Sequence, residues 1–403
     1  MSQEHAYGVK ASRFDSLGAV YDYRTATALR FPLFSLNASS FYASKLPSAQ
    51  LGLKKTELGS HNNYQSDFRL SLPLYAGGKI TNQIRIQREN ISTKSLGVEV
   101  EKLNNAYLLR KAYLNLLLSR SLLGVAETSL SRINIISQDV QSLYRNGLAD
   151  SVDLLEAELI YQKGLRSLAQ NQTVKNISHY SLAQLVGLSP LDTIIPIENI
   201  PIPGPPDSTG GNIDPAAFGR PELKVLDSRI RTATTLIGLN KSDYFPTLIG
   251  YVGYSNGKPN RDQFNKTWDD YYKIGLSLNW EFNLGGKVKS NSLSARQSLF
   301  SAQMTKSKLA ESLALQATVA LENLKYAYQV FTISGNQLDI ANHQFRLAKE
   351  RQKVGHLSVN RLLELEADLT ATEQTHQTSI INYFISETDY LYTIGSPKIF
   401  GGL

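Results

Sequence analysis

Two pairs of glycines divide this chain into two copies of one unit. Gly78 and Gly147 are separated by the same number of residues as Gly286 and Gly355, and the residues flanking each glycine match between the copies. The sequence between the glycines differs, but its length is kept. An unchanged length with a changed sequence is typical of a rigid spacer, so the chain is interpreted as an internal duplication.

Composition narrows the class of protein. The 403 residues carry 42 basic and 35 acidic side chains, a net charge of +7, and no cysteine. The lack of cysteine excludes disulfides, thiolate metal sites and a lipid-modified N-terminal cysteine on the chain as given. No apolar run is long enough for a transmembrane helix, and residues 1–5 lack the layout of a secretory signal. The chain is therefore either cytosolic or numbered from after a removed signal peptide.

Alternating apolar and polar residues predict one β-hairpin in each copy. In the second copy, apolar and polar residues alternate from Tyr272 onward. In the first copy, the residues before Gly78 alternate in the same way, with apolar residues at the equivalent positions. Partner strands introduced by Pro47 and Pro246 precede them, which places the hairpins at about 46–76 and 246–284. The residues predicted to share the apolar face are Phe68, Leu70, Leu72, Leu74, Ile274, Leu276, Leu278 and Trp280.

This alternation fits both a soluble sheet packed on a core and a sheet in a membrane. Aromatic residues such as Tyr75 and Trp268 cluster near the strand ends, as in the aromatic girdles of outer-membrane barrels. Strands of about ten to twelve residues also have the length of a tilted membrane strand. These two features favour lipid, so the apolar face is predicted to face the bilayer.

Each spacer is predicted to be one long helix. Residues 79–145 and 287–354 contain no proline and few glycines. A helix of about 65 residues would be roughly 100 Å long. A second helix returns from each tip glycine, with Ser151 and Ser358 as predicted N-caps. The glycines then supply the positive φ that ends the first helix of each hairpin.

The predicted organisation is two repeats and a linker. The first repeat spans 1–199 and the second 218–403, with a proline- and glycine-rich linker at 200–217. A shorter helix opens each repeat, roughly over Phe14–Ala43 and Pro221–Ser242. The long helical hairpins are placed at about 79–187 and 287–393, with tips at Gly147 and Gly355.

Four strands cannot close a barrel with a lumen, because outer-membrane barrels begin at eight strands. An open sheet in lipid would leave the backbone groups of both edges without partners. Two copies would give eight strands filled by their own side chains, and three would give twelve strands around a pore. We therefore expect a trimer with a twelve-stranded transmembrane barrel, four strands per protomer, and a twelve-helix cylinder.

Several motifs, in this order and spacing, resemble the TolC family of outer-membrane efflux proteins. They are a strand ending in Leu-x-x-Gly-Gly, the long helix, the tip around Gly147, a restart at Arg220-Pro221-Glu222 and a second copy, over about residues 28–395. The resemblance implies a mainly α protein whose long antiparallel hairpins form a trimeric α-helical barrel continued by the β-barrel. It implies an exit duct in the bacterial outer membrane, reaching into the periplasm, for small molecules or polypeptides.

Partners and site residues follow from the resemblance alone. It implies a homotrimer in outer-membrane lipid that binds a periplasmic adaptor (membrane fusion) protein and an inner-membrane transporter of RND, ABC or MFS type. In the family, the tips contact the adaptor, which carried over here gives Asn146, Gly147, Leu148, Ala149, Asp150, Val354, Gly355, His356, Leu357 and Ser358. Side chains just past the tips line the periplasmic gate, here Asp150, Asp153, Arg361 and Glu364.

The second tip departs from the family pattern. Leu357 stands where the family has an arginine, and Arg361 stands where it has a carboxylate. An Asp153–Arg361 ion pair is the hypothesis for how this chain closes its gate.

Two other classes of protein are alternatives. An enzyme would need a convergent site, but the six histidines are scattered and no P-loop, His-Glu-x-x-His or Gly-x-Ser-x-Gly motif is found. No catalysis, cofactor, metal or nucleic-acid partner is therefore expected. A soluble or periplasmic coiled-coil adaptor or scaffold would explain the long helices, but not two membrane-like hairpins at matching positions.

Overall fold

A computed structural model describes residues 6–51, 54–189, 191–196, 201–206, 219–264, 266–282 and 284–401. The elements are α1 (Tyr7–Ala28), β1 (Leu33–Tyr42), β2 (Ser48–Leu51), β3 (Lys54–Glu57), β4 (Asn62–Tyr75), α2 (Lys79–Arg145), α3 (Ser151–Val186), α4 (Pro221–Lys241), β5 (Thr247–Lys258), β6 (Asp269–Asn279), α5 (Lys287–Lys353) and α6 (Val359–Thr393). Most of the predicted linker, from residue 207 to 217, lies outside the described residues.

The fold is mainly helical with one antiparallel four-stranded sheet, as predicted from the sequence. The two spacer helices, α2 and α5, are each 67 residues long, so the duplication preserves their length. No helix among the described residues is both long and apolar enough to cross a membrane.

The chain forms two compact units. The helical unit comprises Met1–Arg13, Leu96–Leu223 and Ser307–Leu403, and the sheet unit comprises Phe14–Ser95 and Lys224–Lys306. Each unit takes segments from both sequence repeats. The repeats are therefore a pattern of duplication and are not themselves compact domains.

The sheet has the strand order β1-β4-β5-β6, with every neighbouring pair antiparallel. The predicted hairpin at 46–76 is wrong in its first strand, because β4 pairs with β1. The residues that follow Pro47 instead form a separate two-stranded ribbon, β2–β3. Leu53, assigned to the predicted strand, lies outside the described residues.

The first predicted helix is also wrong at its end. It was expected over Phe14–Ala43, but α1 ends at Ala28 and β1 begins at Leu33. Pro32 explains the break, since a proline disfavours helical conformation in the residue before it. The following Leu-Phe-Ser-Leu-Asn-Ala-Ser-Ser-Phe-Tyr segment is rich in residues with low helix propensity.

The register gives the sheet one apolar and one polar face. Phe34, Leu70, Val252 and Ile274 are aligned across the four strands. In the next row, Ser35, Arg69, Gly253 and Lys273 are aligned in the same way. Successive residues of a strand point to opposite faces, so the two rows lie on different sides of the sheet. The apolar side chains are largely uncovered, with Ile274 74% exposed and Leu278 64% exposed.

The helical unit is held together by buried apolar side chains from several helices. One cluster includes Leu114 of α2, Leu324 of α5 and Ile381 of α6. A second, nearer the tips, joins Val140 of α2 to Leu363 of α6. Within this unit α2 of the first repeat therefore packs against α6 of the second.

Candidate functional site

The two helix tips adopt the conformation that the sequence predicts. Gly147 has φ of 69° and Gly355 has φ of 78°. At the first tip the Leu148 N–H donates to the Leu143 carbonyl at 2.9 Å, which ties the turn to the end of α2. A Cβ added at either glycine would meet no atom within 4 Å. The requirement for glycine is therefore the positive φ and not a lack of space.

The return helices begin at side-chain caps. Ser358 caps α6 as predicted, its hydroxyl accepting from the Arg361 N–H at 3.3 Å. The predicted cap of α3 was Ser151, but the cap is Asp150, whose carboxylate accepts from the Val152 and Asp153 N–H groups. A carboxylate at a helix N-terminus also interacts favourably with the helix dipole.

Both tips present their side chains to solvent. The predicted docking residues 146–150 and 354–358 are exposed, except that Ala149 and Leu357 are half-buried. Leu357 packs against the tip-proximal cluster. Leu148 is 74% exposed and Val354 66% exposed, so each tip offers an apolar side chain for contact.

The predicted gate residues lie on the first turns after the tips. Arg361 donates to Glu364 at 2.7 Å, and both side chains are more than half exposed. Asp153 is half-buried, and its backbone N–H is taken by the Asp150 cap. Within the described parts of a single chain, no ion pair joins Asp153 to Arg361. A pair between them would have to form between copies.

A buried ion network near the second tip was missed by the sequence analysis. Glu366 of α6 is a charged residue, yet it is only 1% exposed. Its carboxylate accepts from Arg132 Nε at 3.2 Å and from the Ser129 hydroxyl at 2.9 Å. Arg132 also binds Glu373 at 2.8 Å. The network joins α2 to α6, and the one available signal was that Glu366 falls on the apolar side of α6, beside Leu362 and Leu363.

The positive charge of Arg132 in this network is fixed. Burial alone would lower the pKa of the Arg132 guanidinium, but the hydrogen bonds and negative charges of Glu373 and Glu366 hold its pKa above the ordinary value. Arg132 is therefore positively charged at every physiological pH, and the network acts as a permanent tie between the helices.

A second polar cluster ties the same helices farther from the tips. Tyr107 donates to Asp389 at 2.8 Å, and Lys111 donates to both of them at 3.0 and 3.1 Å. Burial raises the pKa of the Tyr107 hydroxyl. Burial opposes the Lys111 charge, but its bonds to Tyr107 and Asp389 raise the pKa of the ammonium above its ordinary value. Both groups therefore stay protonated well above neutral pH.

The residues predicted to face lipid lie together on the apolar face of the sheet. All of them are exposed except Leu72, which is half-buried. Trp280 lies just beyond the end of β6, and its indole donates to the Tyr244 carbonyl at 3.2 Å. An apolar face of this extent needs a cover, and the described residues of the chain do not provide one.

Comparison with known proteins identifies the family. The family described as outer membrane efflux protein matches residues 4–188 and 212–379, once in each repeat. The chain belongs to this family. The match confirms the resemblance to TolC-like channels. No curated protein sequence matches the chain.

Solved structures support the same fold. The outer membrane protein VceC from Vibrio cholerae has a TM-score of 0.82 at 15% identity, covering 98% of this chain and 94% of its own. CusC has a TM-score of 0.81 at 16% identity, with coverage of 98% and 90%. A membrane protein from Pseudomonas aeruginosa has a TM-score of 0.82 at 16% identity, with coverage of 98% and 91%.

The family fixes the class of function. The chain is an outer-membrane efflux channel that reaches into the periplasm, and its relatives are channels rather than enzymes. The alternative of a soluble or periplasmic scaffold is not favoured. No group of histidine, aspartate and glutamate side chains within the described residues has the arrangement of a metal site.

We predict that Glu366→Ala destabilises the helical unit, whereas Glu364→Ala does not. Removing Glu366 takes one partner from a buried ion network, which typically costs about 3 kcal/mol or more, whereas an exposed pair is worth about 0–1 kcal/mol. The midpoint of thermal unfolding, followed by circular dichroism in detergent, should fall by several degrees in the first variant only. Equal midpoints would mean that the network does not stabilise the fold.

Proposed function

We propose that three copies of this chain form an exit duct, with a twelve-stranded barrel in the outer membrane and an α-helical barrel in the periplasm. The observation that carries the proposal is the four-stranded sheet, with its uncovered apolar face and its two open edges, β1 and β6. In lipid, each open edge would leave a row of backbone groups without partners. Edge-to-edge pairing between copies gives the backbone groups of every edge a hydrogen-bond partner.

The polar face of the sheet favours three copies over two. β1 and β6 run antiparallel to each other, so β6 of one copy can pair with β1 of the next in an antiparallel barrel of any copy number. Eight strands would fill their interior with side chains. Charged residues such as Arg69 and Lys273 on the inward face would then be buried. Twelve strands keep these charges in a water-filled lumen.

Exposed apolar stripes on the helices support contacts between copies. On α5, side chains at every seventh position are half or more exposed: Val319, Tyr326, Ile333 and Ile340. The same repeat positions on α2 are used within the chain, since Leu118 packs in the core and Arg132 binds Glu366. By the symmetry of the duplication, α5 would pack against α3 of the next copy as α2 packs against α6.

The stripe on α3 fits this arrangement. Leu155 is 64% exposed, whereas its counterpart in the second repeat, Leu363, is 1% exposed. Val152 and Leu159 continue the stripe, and both are more than half exposed. Burying such side chains stabilises an interface by about 1.5–3 kcal/mol each. Together the stripes would close a ring of twelve helices.

The tips are proposed to dock on a periplasmic adaptor that is driven by an inner-membrane transporter of RND, ABC or MFS type. Their supporting features are exposure, apolar Leu148 and Val354, and a backbone turn fixed by glycine. Small molecules or polypeptides would enter there. Asp150, Asp153, Arg361 and Glu364 are proposed to line the gate, and outer-membrane lipid to cover the apolar face of the sheet.

Ile274→Arg should reduce assembly, whereas Ser277→Arg should be tolerated. Ile274 is the middle residue of β6, and an arginine facing lipid at mid-depth costs about 2–4 kcal/mol in a barrel. Ser277 lies on the polar face of the sheet, which would face the lumen. The measurement is the amount of trimer recovered from outer membranes in mild detergent. Equal losses would contradict the assignment of faces, and a monodisperse monomer in buffer without detergent would overturn the duct itself.

Gly147→Val and Gly355→Val should abolish export while leaving trimers in the membrane. A β-branched residue cannot adopt the positive φ without strain, so the docking turn fails while the barrel is untouched. Gly124→Val in α2 is the control, since Gly124 has no positive φ and faces open space. Export is measured in cells that hold the native pump. Loss of the trimer in the tip variants would assign these glycines to folding instead.

Arg361→Asp should raise single-channel conductance in planar bilayers, and adding Asp153→Arg should restore the closed level. In the wild type, three symmetry-related Asp153–Arg361 pairs between copies would hold the entrance shut. An aspartate at position 361 would instead repel Asp153 and open it. Glu350→Gln, which removes a carboxylate from the comparable exposed pair with Lys353 on α5, should leave the conductance unchanged. Wild-type conductance in Arg361→Asp would remove the pair from the gate.

A further inference from the structure

Two cations occupy one row of the polar face of the sheet. Arg69 on β4 pairs with Gly253 on β5, and Gly253 pairs with Lys273 on β6. The remaining member of the row, on β1, is Ser35. The two charges are thus separated by a residue without a side chain.

The glycines of this face let long side chains lie flat across the sheet. The Cε and Cγ atoms of Lys273 lie 3.2 and 3.3 Å from where a Gly253 Cβ would be, so the lysine leans across β5 toward the strand that carries Arg69. In the neighbouring polar row, the Tyr251 ring covers Gly275. The Arg69 guanidinium carbon lies 4.6 Å from the centre of that ring.

Aromatic faces hold these cations without neutralising them. Lys273 lies 5.9 Å from the centre of the Tyr271 ring, and Arg261 lies 5.1 Å from the same ring. A cation–π contact positions a cation but leaves its charge in place. In the portion of the chain that the structure describes, no carboxylate forms an ion pair with Arg69 or Lys273, and both side chains are exposed.

Two carboxylates lie on the same face, farther along the strands. Asp67 is one polar position from Arg69 on β4 and accepts from the Gln65 amide at 2.9 Å. Asp269 is two polar positions from Lys273, at the start of β6. The charged members of the shared row are thus both cations, while Asp67 lies in the adjacent row, level with Tyr271. With Arg261 over the Tyr271 ring, these three cations and one carboxylate give the zone a net positive charge.

We propose that this zone, repeated in three copies, forms a cationic band in the barrel lumen that binds anionic groups of passing solutes, namely phosphates, sulfates and carboxylates. The proposal rests on the trimeric duct. Barrel strands tilt by about 35–45°, so the row spirals and the six cations of Arg69 and Lys273 form a band rather than a flat ring. Arginine and lysine rings of this kind select anions in other pores, because a narrow lumen with low-dielectric walls concentrates the field.

The test is block of single channels by inorganic tripolyphosphate, a multivalent anion. Detergent-solubilised trimer is added to one side of a planar bilayer, and its large polar helical part stays on that side. Tripolyphosphate on the opposite side reaches the barrel first and should lower the wild-type current. In Arg69→Gln/Lys273→Gln, the concentration for half block should rise at least about tenfold, since six charges are removed. Asp67→Asn should lower that concentration.

Matched variants separate the possible outcomes. Lys45→Gln removes one charge per chain outside the four-stranded sheet, and tripolyphosphate should block this variant at the same concentration as the wild type. Recovery of each variant as a trimer is checked first, and the single variants Arg69→Gln and Lys273→Gln replace the double one if it fails to assemble. An unblocked wild type, or equal block of wild type and double variant, would overturn the band while leaving the duct standing. Absence of any wild-type channel would overturn the duct and the band together.

Discussion

The open edges of the four-stranded sheet are the constraint on which the rest of this protein depends. A sheet whose apolar side chains face outward can be placed in lipid, but its edge N–H and C=O groups cannot. One chain supplies β1 and β6 as edges and nothing among its described residues to cover them. Closure must therefore come from further copies. The polar face then determines the number of copies, because charged side chains such as Arg69 need a lumen wide enough to hold water.

The length of the long helices is a second constraint. Two spacers of equal length, 67 residues each, bring the two tips of every copy to the end of equally long hairpins. In the proposed duct, a difference in length would move one tip out of reach of the adaptor that both tips are proposed to bind. Equal length is thus under stronger constraint than sequence, which explains why the anchors match while the helices between them have diverged.

Periodicity and spacing were enough to predict most of the fold. Alternation located β4, β5 and β6, and the absence of proline located both long helices. The sequence misled at β1, where Leu33–Tyr42 alternates weakly and Pro47 suggested a later start. β1 is an edge strand that is selected by its pairing with β4, and pairing between distant residues is not visible in local propensity.

Site residues were predictable to different degrees. Gly147 and Gly355 could be found because positive φ leaves a mark in the sequence. The cap at Asp150 was misplaced by one residue, since aspartate and serine are both good caps. Glu366 could not be found, because whether a helical glutamate is solvated or buried depends on which neighbour faces it. Its partner Arg132 lies in the other repeat, on a helix whose rotation the sequence does not give.

The duplication also explains why the two repeats have come to differ. In one chain α2 and α6 meet, and their equivalent faces carry the buried Arg132–Glu366 pair. The position of Arg132 in the other repeat is held by Ile340 on α5, and the position of Glu366 by Glu158 on α3. Both of these residues are exposed. A contact within the chain forms once and can hold a permanent ion network. In the proposed assembly, the contact between copies holds no such ion pair at these positions and depends instead on the exposed apolar side chains of α3 and α5.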